Sequence, residues 1–273
     1  MSNPDPLSGP PADILAAPAH AKELMSVFIA RQMRNGDYVA LGTNLPVSTA
    51  GVLLAHLTRC PDIKISALSY FMNLARVERF HDLGQVASPR LSRWAESVWS
   101  LDALLDAVPR MEWSFTGALQ IDKFGNTNLI GIGDDPRNLT FRGPGSVGSS
   151  TVAALVRHYM IHVGSHTPRV LVEKCDYRSA FGFGDGGDHR QRLGLPGGGP
   201  KYVITPKAIM DFEPESKHMR LKHLLPGVTI DEVLANTGFQ LLIPDTLDDA
   251  PLPTPEELRI LRTRIDTQGV LRT

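Results

Sequence analysis

Short apolar strand patterns alternate with helical patterns along the whole chain, and this alternation constrains the possible folds most. Residues 21–34 place apolar side chains at helical spacing, and residues 51–59 are compatible with a second helix. Residues 38–43 and 63–68, which flank that second segment, have the pattern of short strands. Because strands and helices are mixed without an intervening linker, the sequence predicts an α/β fold.

The second half of the chain continues this mixture. Residues 150–163 are predicted to form one helix and residues 169–174 a buried strand. Residues 201–212 and 217–225 have the pattern of a hairpin or meander. Further predicted segments are extended runs within 113–143, a short helix at 229–238 with a threonine cap and a glycine stop, and an amphipathic helix at 253–265.

Composition excludes several classes of protein. The formal net charge is −1, so no global charge points to nucleic acid or to an anionic membrane. No window approaches the roughly 20 apolar residues that span a bilayer. Cys60 and Cys175 are far apart in the sequence and predict free thiols in a reducing, cytoplasmic compartment. Residues 1–20 contain five prolines and predict a flexible tail, and residues 21–273 predict a single domain.

Gly143, Gly145 and Gly148 form a G-x-G-x-x-G pattern that precedes a predicted helix. A nicotinamide or flavin site is one interpretation. The preceding segment is polar and lies in mid-chain, which argues against the first βαβ unit of a dinucleotide fold. An anion site, an oxyanion hole for a thioester carbonyl, and a simple glycine-rich turn remain as alternatives.

Histidines and possible nucleophiles indicate no further site. His158 and His162 are four apart on the predicted helix and His166 follows, but no nearby carboxylate or cysteine completes a metal-ligand set. We therefore predict no metal. No G-x-S-x-G is present, and Cys175 is interpreted as a small core residue. The glycine-rich loop at 185–200 either covers a ligand or is only a long loop.

Several sequence blocks taken together resemble one family. The chain resembles the beta subunits of class I CoA-transferases of the glutaconate CoA-transferase type, over residues 20–268. The blocks that carry the resemblance are Arg34-Asn35-Gly36, Thr43 to Pro46, Gly117 to Asn128 (GALQIDKFGNTN), Phe141 to Val147 (FRGPGSV), Arg192 to Gly197 (RLGLPG) and Glu232 to Phe239 (EVLANTGF).

The resemblance implies an open CoA-transferase-type sheet flanked by helices, the NagB/RpiA/CoA-transferase-like fold. It also implies an alpha-type partner subunit in a heterodimer or heterotetramer, with the active site at the interface and an acyl-CoA as substrate. No cofactor beyond the coenzyme A thioester is expected, and neither nucleic acid nor a membrane. In ordinary members, a glutamate of the beta-type subunit attacks the acyl-CoA carbonyl.

This chain departs from the family at that glutamate. The family places it at the end of the second strand, and a count without gaps puts Leu68 there and aligns Val77-Glu78 with a family V-E pair. Leucine has no lone pair to attack a carbonyl, so Leu68 cannot act as the nucleophile. Glu78 is the nearest carboxylate of the segment and a candidate catalytic acid or base, and a solvated helical glutamate is the alternative interpretation. Ser146 replaces the second glycine of the family's oxyanion segment.

The resemblance assigns residues to two parts of a site. The oxyanion and CoA-binding loop would contain Gly143, Gly145, Ser146 and Val147. The substrate pocket would contain Asn44, Leu68, Ser69, Gln120 and Asn126.

The preferred interpretation of function is hydrolytic carbon–carbon cleavage of a cyclic β-keto-acyl-CoA, with the catalytic glutamate supplied by the alpha subunit. Water attack needs only a general base and an oxyanion hole. The alternatives are a CoA-transferase, a noncatalytic scaffold subunit and a nicotinamide-dependent oxidoreductase.

Overall fold

The computed structural model of the chain describes residues 12–42, 44–67, 71–72, 95–146 and 148–273. Its helices are α1 (Ala12–Ala16), α2 (Ala21–Gln32), α3 (Pro46–Thr58), α4 (Leu101–Ala107), α5 (Ser149–Leu155), α6 (His189–Arg192), α7 (Ile230–Ala235) and α8 (Pro255–Ile260). Short 3₁₀ segments at Val108–Arg110 and Val270–Arg272 and a π-helical segment at Leu261–Ile265 complete the helical structure of these residues.

The strands are β1 (Tyr38–Leu41), β2 (Lys64–Ala67), β3 (Phe71–Met72), β4 (Ser97–Val98), β5 (Trp113–Thr116), β6 (Gln120–Ile121), β7 (Thr127–Asn128), β8 (Gly131–Ile132), β9 (Phe141–Arg142), β10 (His158–His162), β11 (Pro200–Ile204), β12 (Ala208–Phe212), β13 (Met219–Leu224) and β14 (Asp248–Asp249). Ten of them form one sheet in the order β14-β13-β12-β11-β10-β5-β1-β2-β3-β4. Its five central strands, β2-β1-β5-β10-β11, are parallel, and antiparallel strands follow on both sides. The predicted α/β fold with an open, helix-flanked sheet is confirmed.

One face of the sheet is covered by α2, α3 and the C-terminal helical segment. Ile29, Leu54 and Ile65 are buried in this layer together with Leu261. Helices α2 and α3 cross closely at Gly51, where an added Cβ would lie 2.7 Å from the carbonyl oxygen of Ser26. Glycine is therefore needed at the crossing for steric reasons.

The other face is covered by a second apolar cluster. Ile121 of β6 and Leu171 pack here against Tyr159 and Ile161 of β10, and Val233 of α7 joins them. The sheet is therefore buried on both faces, as expected for a parallel sheet in an α/β protein.

A buried ion pair joins the two ends of the chain. The guanidinium of Arg262 binds both carboxylate oxygens of Glu23 at 2.7 and 2.8 Å, and both side chains are fully buried. The remaining Arg262 N–H groups donate to backbone carbonyls within residues 14–18. The second half of the predicted tail is thereby bound to the C-terminal segment, and residues 1–11 lie outside the described residues.

Two predicted elements are wrong. Residues 150–163 divide into α5 and β10, because the chain turns extended at Val156 and the N–H groups of the next two residues donate to the carbonyls of residues 111 and 112. His158 and His162 consequently lie on one face of a strand. Residues 169–174 form a turn with one bridge, from Leu171 to Ile121. Leu171 is buried by a neighbouring hairpin, which explains its apolar pattern without a strand of its own.

Other predictions are confirmed. The meander at β11, β12 and β13 is antiparallel, and α7 begins at Thr229, whose hydroxyl accepts from the N–H of Glu232. Helix α8 begins with a capping box between Thr254 and Glu257.

Candidate active site

The carboxyl ends of the parallel strands meet at one edge of the sheet. Strands β1, β5 and β10 end there at Leu41, Thr116 and His162, and β2 ends there at Ala67. Ligands of open α/β sheets bind at this edge, because the loops that leave the strands form a crevice. We therefore place the candidate site at the carboxyl edge.

The loop between β1 and α3 covers part of this edge. Asn44 adopts a left-handed conformation with φ of 52°, which asparagine tolerates better than most residues. The Leu45 side chain then lies over the ends of β1 and β5. An added Cβ at Gly42, after β1, would lie 2.9 Å from one of its methyl groups, and an added Cβ at Gly117, after β5, would lie 3.6 Å from the other. Asn44 is thus at the carboxyl edge, and its role in the substrate pocket stays a prediction. Thr43 lies outside the described residues.

A buried histidine–serine pair lies beneath this loop. The Ser48 hydroxyl donates to the carbonyl oxygen of Leu45 at 3.1 Å, and His162 Nε2 lies 3.1 Å from the same hydroxyl. The tautomer sets the direction of this contact: a protonated Nε2 donates to the hydroxyl, and an unprotonated Nε2 accepts from it. Burial lowers the pKa of His162 to about 4, so the ring is neutral near pH 7.

The sequence pattern did not predict this pair, because residues 150–163 have the periodicity of a single helix and Ser48 belongs to none of the motifs. The alternation of His158, Met160 and His162 on one strand face was the available signal.

The block from Gly117 to Asn128 forms the hairpin of β6 and β7 directly after β5. Asn126 is fully buried: its amide nitrogen donates to the carboxylate of Asp122 and to Gly184 O, and its amide oxygen accepts from the N–H groups of Gly182 and Gly184. Burial raises the pKa of Asp122, and these hydrogen bonds oppose that effect. The Asn126 side chain therefore holds the hairpin against the 182–184 segment.

Gln120 is buried at the start of the same hairpin. Its amide oxygen accepts from the Asn128 side chain and the Asp176 N–H, and its amide nitrogen donates to the Asp176 carboxylate. These bonds join the hairpin to residue 176. Whether Gln120 and Asn126 also contact a substrate stays a prediction.

The glycine loop rests on the segment that follows this hairpin. The N–H of Gly143 donates to Ile130 O and that of Gly145 to Leu129 O, both at 2.8 Å. The Arg142 guanidinium also donates to carbonyl oxygens of this loop. Neither glycine N–H can therefore donate to an oxyanion without breaking these bonds.

In the part of the loop that the structure describes, the N–H of Ser146 donates to no backbone carbonyl. The peptide bond between Gly145 and Ser146 is cis. The N–H of Gly148 likewise donates to no carbonyl of a described residue, and the role of Ser146 as an oxyanion donor stays a prediction. Val147 lies outside the described residues, as do Leu68, Ser69 and Glu78.

The surroundings of the glycine loop differ from those of a dinucleotide site. The preceding strand, β9, pairs only with β8 in a two-stranded antiparallel sheet. A Rossmann fingerprint follows a central strand of a parallel sheet instead. The G-x-G-x-x-G pattern therefore lacks the structural context that the nicotinamide or flavin interpretation requires.

The long loop that leads to β11 is held by a buried arginine. All five N–H groups of Arg190 point to backbone carbonyl oxygens: Nε to Gly197, Nη1 to residues 181 and 182, and Nη2 to residues 153 and 154. Burial lowers the pKa of this guanidinium. The side chain thus joins the RLGLPG segment to the end of α5.

The described residues contain no cluster of three or more His, Cys, Asp or Glu side chains that could hold a metal ion. His166 lies apart from the other two histidines, between the hydroxyls of Thr205 and Thr237 at 2.8 and 3.1 Å. Within the same residues, no helix combines the length and apolar character needed to cross a membrane.

Known proteins resemble the chain over nearly its whole length. It is 33% identical over 254 residues to the B subunit of glutaconate CoA-transferase from Acidaminococcus fermentans, covering 90% of this chain and 92% of that subunit. It is 32% identical over 243 residues to the B subunit of 3-oxoadipate CoA-transferase from Pseudomonas knackmussii, covering 88% and 91%. It is 26% identical over 255 residues to the cholesterol ring-cleaving hydrolase IpdB subunit of Mycobacterium tuberculosis, covering 91% and 95%.

The fold agrees with these similarities. The crystal structure of glutaconate coenzyme A-transferase from Acidaminococcus fermentans matches with a TM-score of 0.84 and 30% identity, covering 93% of this chain and 98% of that chain. Residues 22–236 match the family described as Coenzyme A transferase. The match covers most of the chain and includes the hairpin and the glycine loop, and the chain therefore belongs to the coenzyme A transferase family.

Proposed function

We propose that the chain is the beta-type subunit of a heteromeric enzyme that acts on acyl-CoA thioesters. The observation that carries this proposal is the similarity, over about nine-tenths of the chain, to B subunits of two CoA-transferases. An alpha-type subunit would complete the site at the carboxyl edge. The glycine loop would contribute an oxyanion donor through the N–H of Ser146.

The reaction we favour is hydrolytic opening of a cyclic β-keto-acyl-CoA. Leu68 stands where the family has its nucleophile, and the described residues 42, 44–46, 117–119 and 163–167, which follow the ends of β1, β5 and β10, include no Asp or Glu. We infer that the partner supplies the carboxylate that acts as general base, and Glu78 of this chain, which lies outside the described residues, is the less favoured source. The similarity to a subunit named for ring cleavage supports this choice.

In the proposed step, water loses a proton to the partner's carboxylate and adds to the ring ketone carbonyl. The resulting oxyanion accepts a hydrogen bond from the glycine loop. The bond between that carbonyl carbon and the α-carbon of the thioester then breaks. The α-carbon takes up a proton, the ketone becomes a carboxylate, and the coenzyme A thioester stays intact.

A CoA-transferase is the second candidate. The sequence identities favour it: the chain is 33% and 32% identical to the two CoA-transferase subunits and 26% identical to the hydrolase subunit. Transfer through a covalent intermediate needs a carboxylate nucleophile. Because Leu68 cannot supply one, that carboxylate would also come from the partner.

Product analysis separates the two reactions. The complex with the alpha-type subunit is incubated with cyclic β-keto-acyl-CoA esters, or with a linear acyl-CoA plus acetate, and the products are analysed by mass spectrometry. Hydrolytic ring opening adds the mass of one water and retains coenzyme A. Formation of acetyl-CoA, with no water adduct of any cyclic ester, would show a transferase and reject the ring-opening proposal.

Ligand titration tests the remaining classes. We expect acyl-CoA esters to bind the complex and NAD(P) not to bind, because β9 lacks the context of a dinucleotide site. Binding of NAD(P) would support an oxidoreductase, and a complex that binds no acyl-CoA would support a noncatalytic scaffold.

A further inference from the structure

A cleft of about 570 Å³ lies at the amino ends of β1, β2 and β5. Its side chains are those of Asp37, Tyr38, Lys64, Trp99, Arg110 and Glu112. Because Lys64 begins β2 and Ala67 ends it, roughly 10 Å of strand separates this cleft from the carboxyl edge. The cleft is therefore distinct from the candidate active site, and its volume is in the range that suits a small ligand.

The two acidic side chains of the cleft already have partners. The Asp37 carboxylate accepts from the backbone N–H of Arg34 at 2.8 Å and from the indole N–H of Trp113 at 3.1 Å. The Glu112 carboxylate forms an ion pair with Arg157 at 3.2 Å. Both carboxylates thus have partners in their own chain, and only that of Glu112 is paired with a charge.

Within the described residues, the two cationic side chains of the cleft, those of Lys64 and Arg110, lack the kind of ion pair that Glu112 forms. Across the described ranges of the chain, neither Lys64 nor Arg110 forms an ion pair with a carboxylate. Lys64 and Arg110 are exposed and line the same cleft. Because neither cation is paired with Asp37 or Glu112, both can donate charge-assisted hydrogen bonds to an anionic group in the cleft.

Aromatic side chains complete the cleft. The indole N–H of Trp99 donates to the Ser97 hydroxyl at 3.0 Å, and its ring packs against the same apolar cluster as that of Tyr38. The polar atom of the indole is therefore occupied, and the ring can offer an apolar surface to a flat group.

We propose that this cleft binds a small organic anion that carries a flat ring. The acidic group lies against Lys64 and Arg110, and the ring lies against Trp99 and Tyr38. An aryl carboxylate or an aryl phosphate has this chemistry. The proposal does not depend on the proposed function, because it uses no residue of the carboxyl edge.

The test is calorimetric titration of the purified full chain with phenyl phosphate, benzoate, inorganic phosphate and uncharged benzamide. We expect phenyl phosphate and benzoate to bind with one site per chain, inorganic phosphate to bind more weakly, and benzamide not to bind. The double variant Lys64→Met/Arg110→Met should weaken binding of both aryl anions by about tenfold or more, the scale of losing charged hydrogen bonds.

The matched control is Lys174→Met/Arg137→Met, which removes the same charges from exposed positions outside the cleft. It should bind as the unchanged chain does. Equal weakening by both double variants would reject the site in favour of a general charge effect. Absence of binding, or no loss in Lys64→Met/Arg110→Met with its circular dichroism unchanged, would also overturn the proposal. Equal affinities for phosphate and phenyl phosphate would overturn the role of the ring.

Discussion

Gly145 allows the glycine loop to approach the segment after β7 because it has no side chain. A Cβ at this position would lie 2.8 Å from the carbonyl oxygen of Leu129 and still closer to its side chain. The carbonyl oxygen of Leu129 belongs to the backbone, so it cannot move away as easily as the end of a flexible side chain. A bulky substitution here therefore disturbs the loop as a whole, beyond any effect on an oxyanion donor.

We predict that Gly145→Ala lowers the free energy of unfolding by about 1–3 kcal/mol through overpacking. Urea denaturation of the purified chain measures this. Gly164→Ala is the matched control, since nothing lies within 4 Å of the added Cβ and Gly164 has no positive φ. If Gly145→Ala proved as stable as Gly164→Ala, the loop would not be packed as described.

His162 makes stability depend on pH. Burial lowers its pKa from 6.5 to about 4, so between these values the unfolded chain binds a proton that the folded chain does not. The contribution of the neutral His162 to the free energy of unfolding is complete above pH 6.5 and is lost as the pH falls towards 4. We predict that His162→Gln reduces the loss of unfolding free energy across this window by roughly 3 kcal/mol.

Urea titrations at several pH values between 4 and 7.5 would test this. Ser48→Ala is the control: it removes the hydroxyl partner but leaves the imidazole buried, so we expect it to retain the pH dependence of the unchanged chain. Parallel pH profiles for His162→Gln and the unchanged chain would contradict the prediction.

Leu68 provides a test of where the catalytic carboxylate resides. If the partner supplies it, Leu68→Glu should not create an efficient CoA-transferase, because a carboxyl in a site adapted to an apolar side chain takes up a proton. Ring-opening activity should also fall. The measurement is incubation of the variant complex with acyl-CoA, borohydride reduction and mass spectrometry. An abundant reducible glutamyl-CoA adduct at position 68, with rising transfer to free acids, would show that only the nucleophile was missing.

At the scale of elements, the ion pair of Glu23 and Arg262 joins α2 to the π-helical segment after α8. Because both side chains are fully buried, removal of one charge leaves the other without compensation. The same guanidinium also binds carbonyls of residues 14–18. One side chain therefore couples the N-terminal segment, α2 and the C-terminal segment.

We predict that Glu23→Gln lowers the free energy of unfolding by about 3–5 kcal/mol. The exposed pair of Arg259 and Glu256 is the control, and Glu256→Gln should have little measurable effect. Chemical denaturation of both variants gives the comparison. Equal stability of the two variants would contradict a structural role for the buried pair.

At the scale of the whole molecule, the family to which the chain belongs leads to a prediction about assembly. The described loops that follow β1, β5 and β10 contain no carboxylate. We predict that the chain alone has no acyl-CoA turnover and gains it with an alpha-type subunit. Size-exclusion chromatography and coenzyme A ester assays of the chain with and without the partner test this. Robust turnover by the chain alone would refute it.

The fold class, the family and the starts of α2, α7 and α8, each to within two residues, could be predicted from the sequence, whereas the predicted ends of these helices lie two to five residues too late. Periodic apolar patterns and local caps act over a few residues, so they can be recognised without knowledge of the tertiary structure. The glycine loop and the hairpin before it were recognised by their motifs for the same reason.

Which polar groups already have hydrogen-bond partners could not be predicted from the sequence. Residues 169–174 have the pattern of a strand but form a turn. Residues 150–163 divide into a helix and a strand because their second half, β10, pairs with β5 and β11, which are distant in sequence. Likewise, Leu129 and Ile130 accept the N–H groups of Gly143 and Gly145, and Ser48 meets His162 across 114 positions of the chain. Such contacts depend on atoms brought together by folding, and a linear pattern contains no record of them.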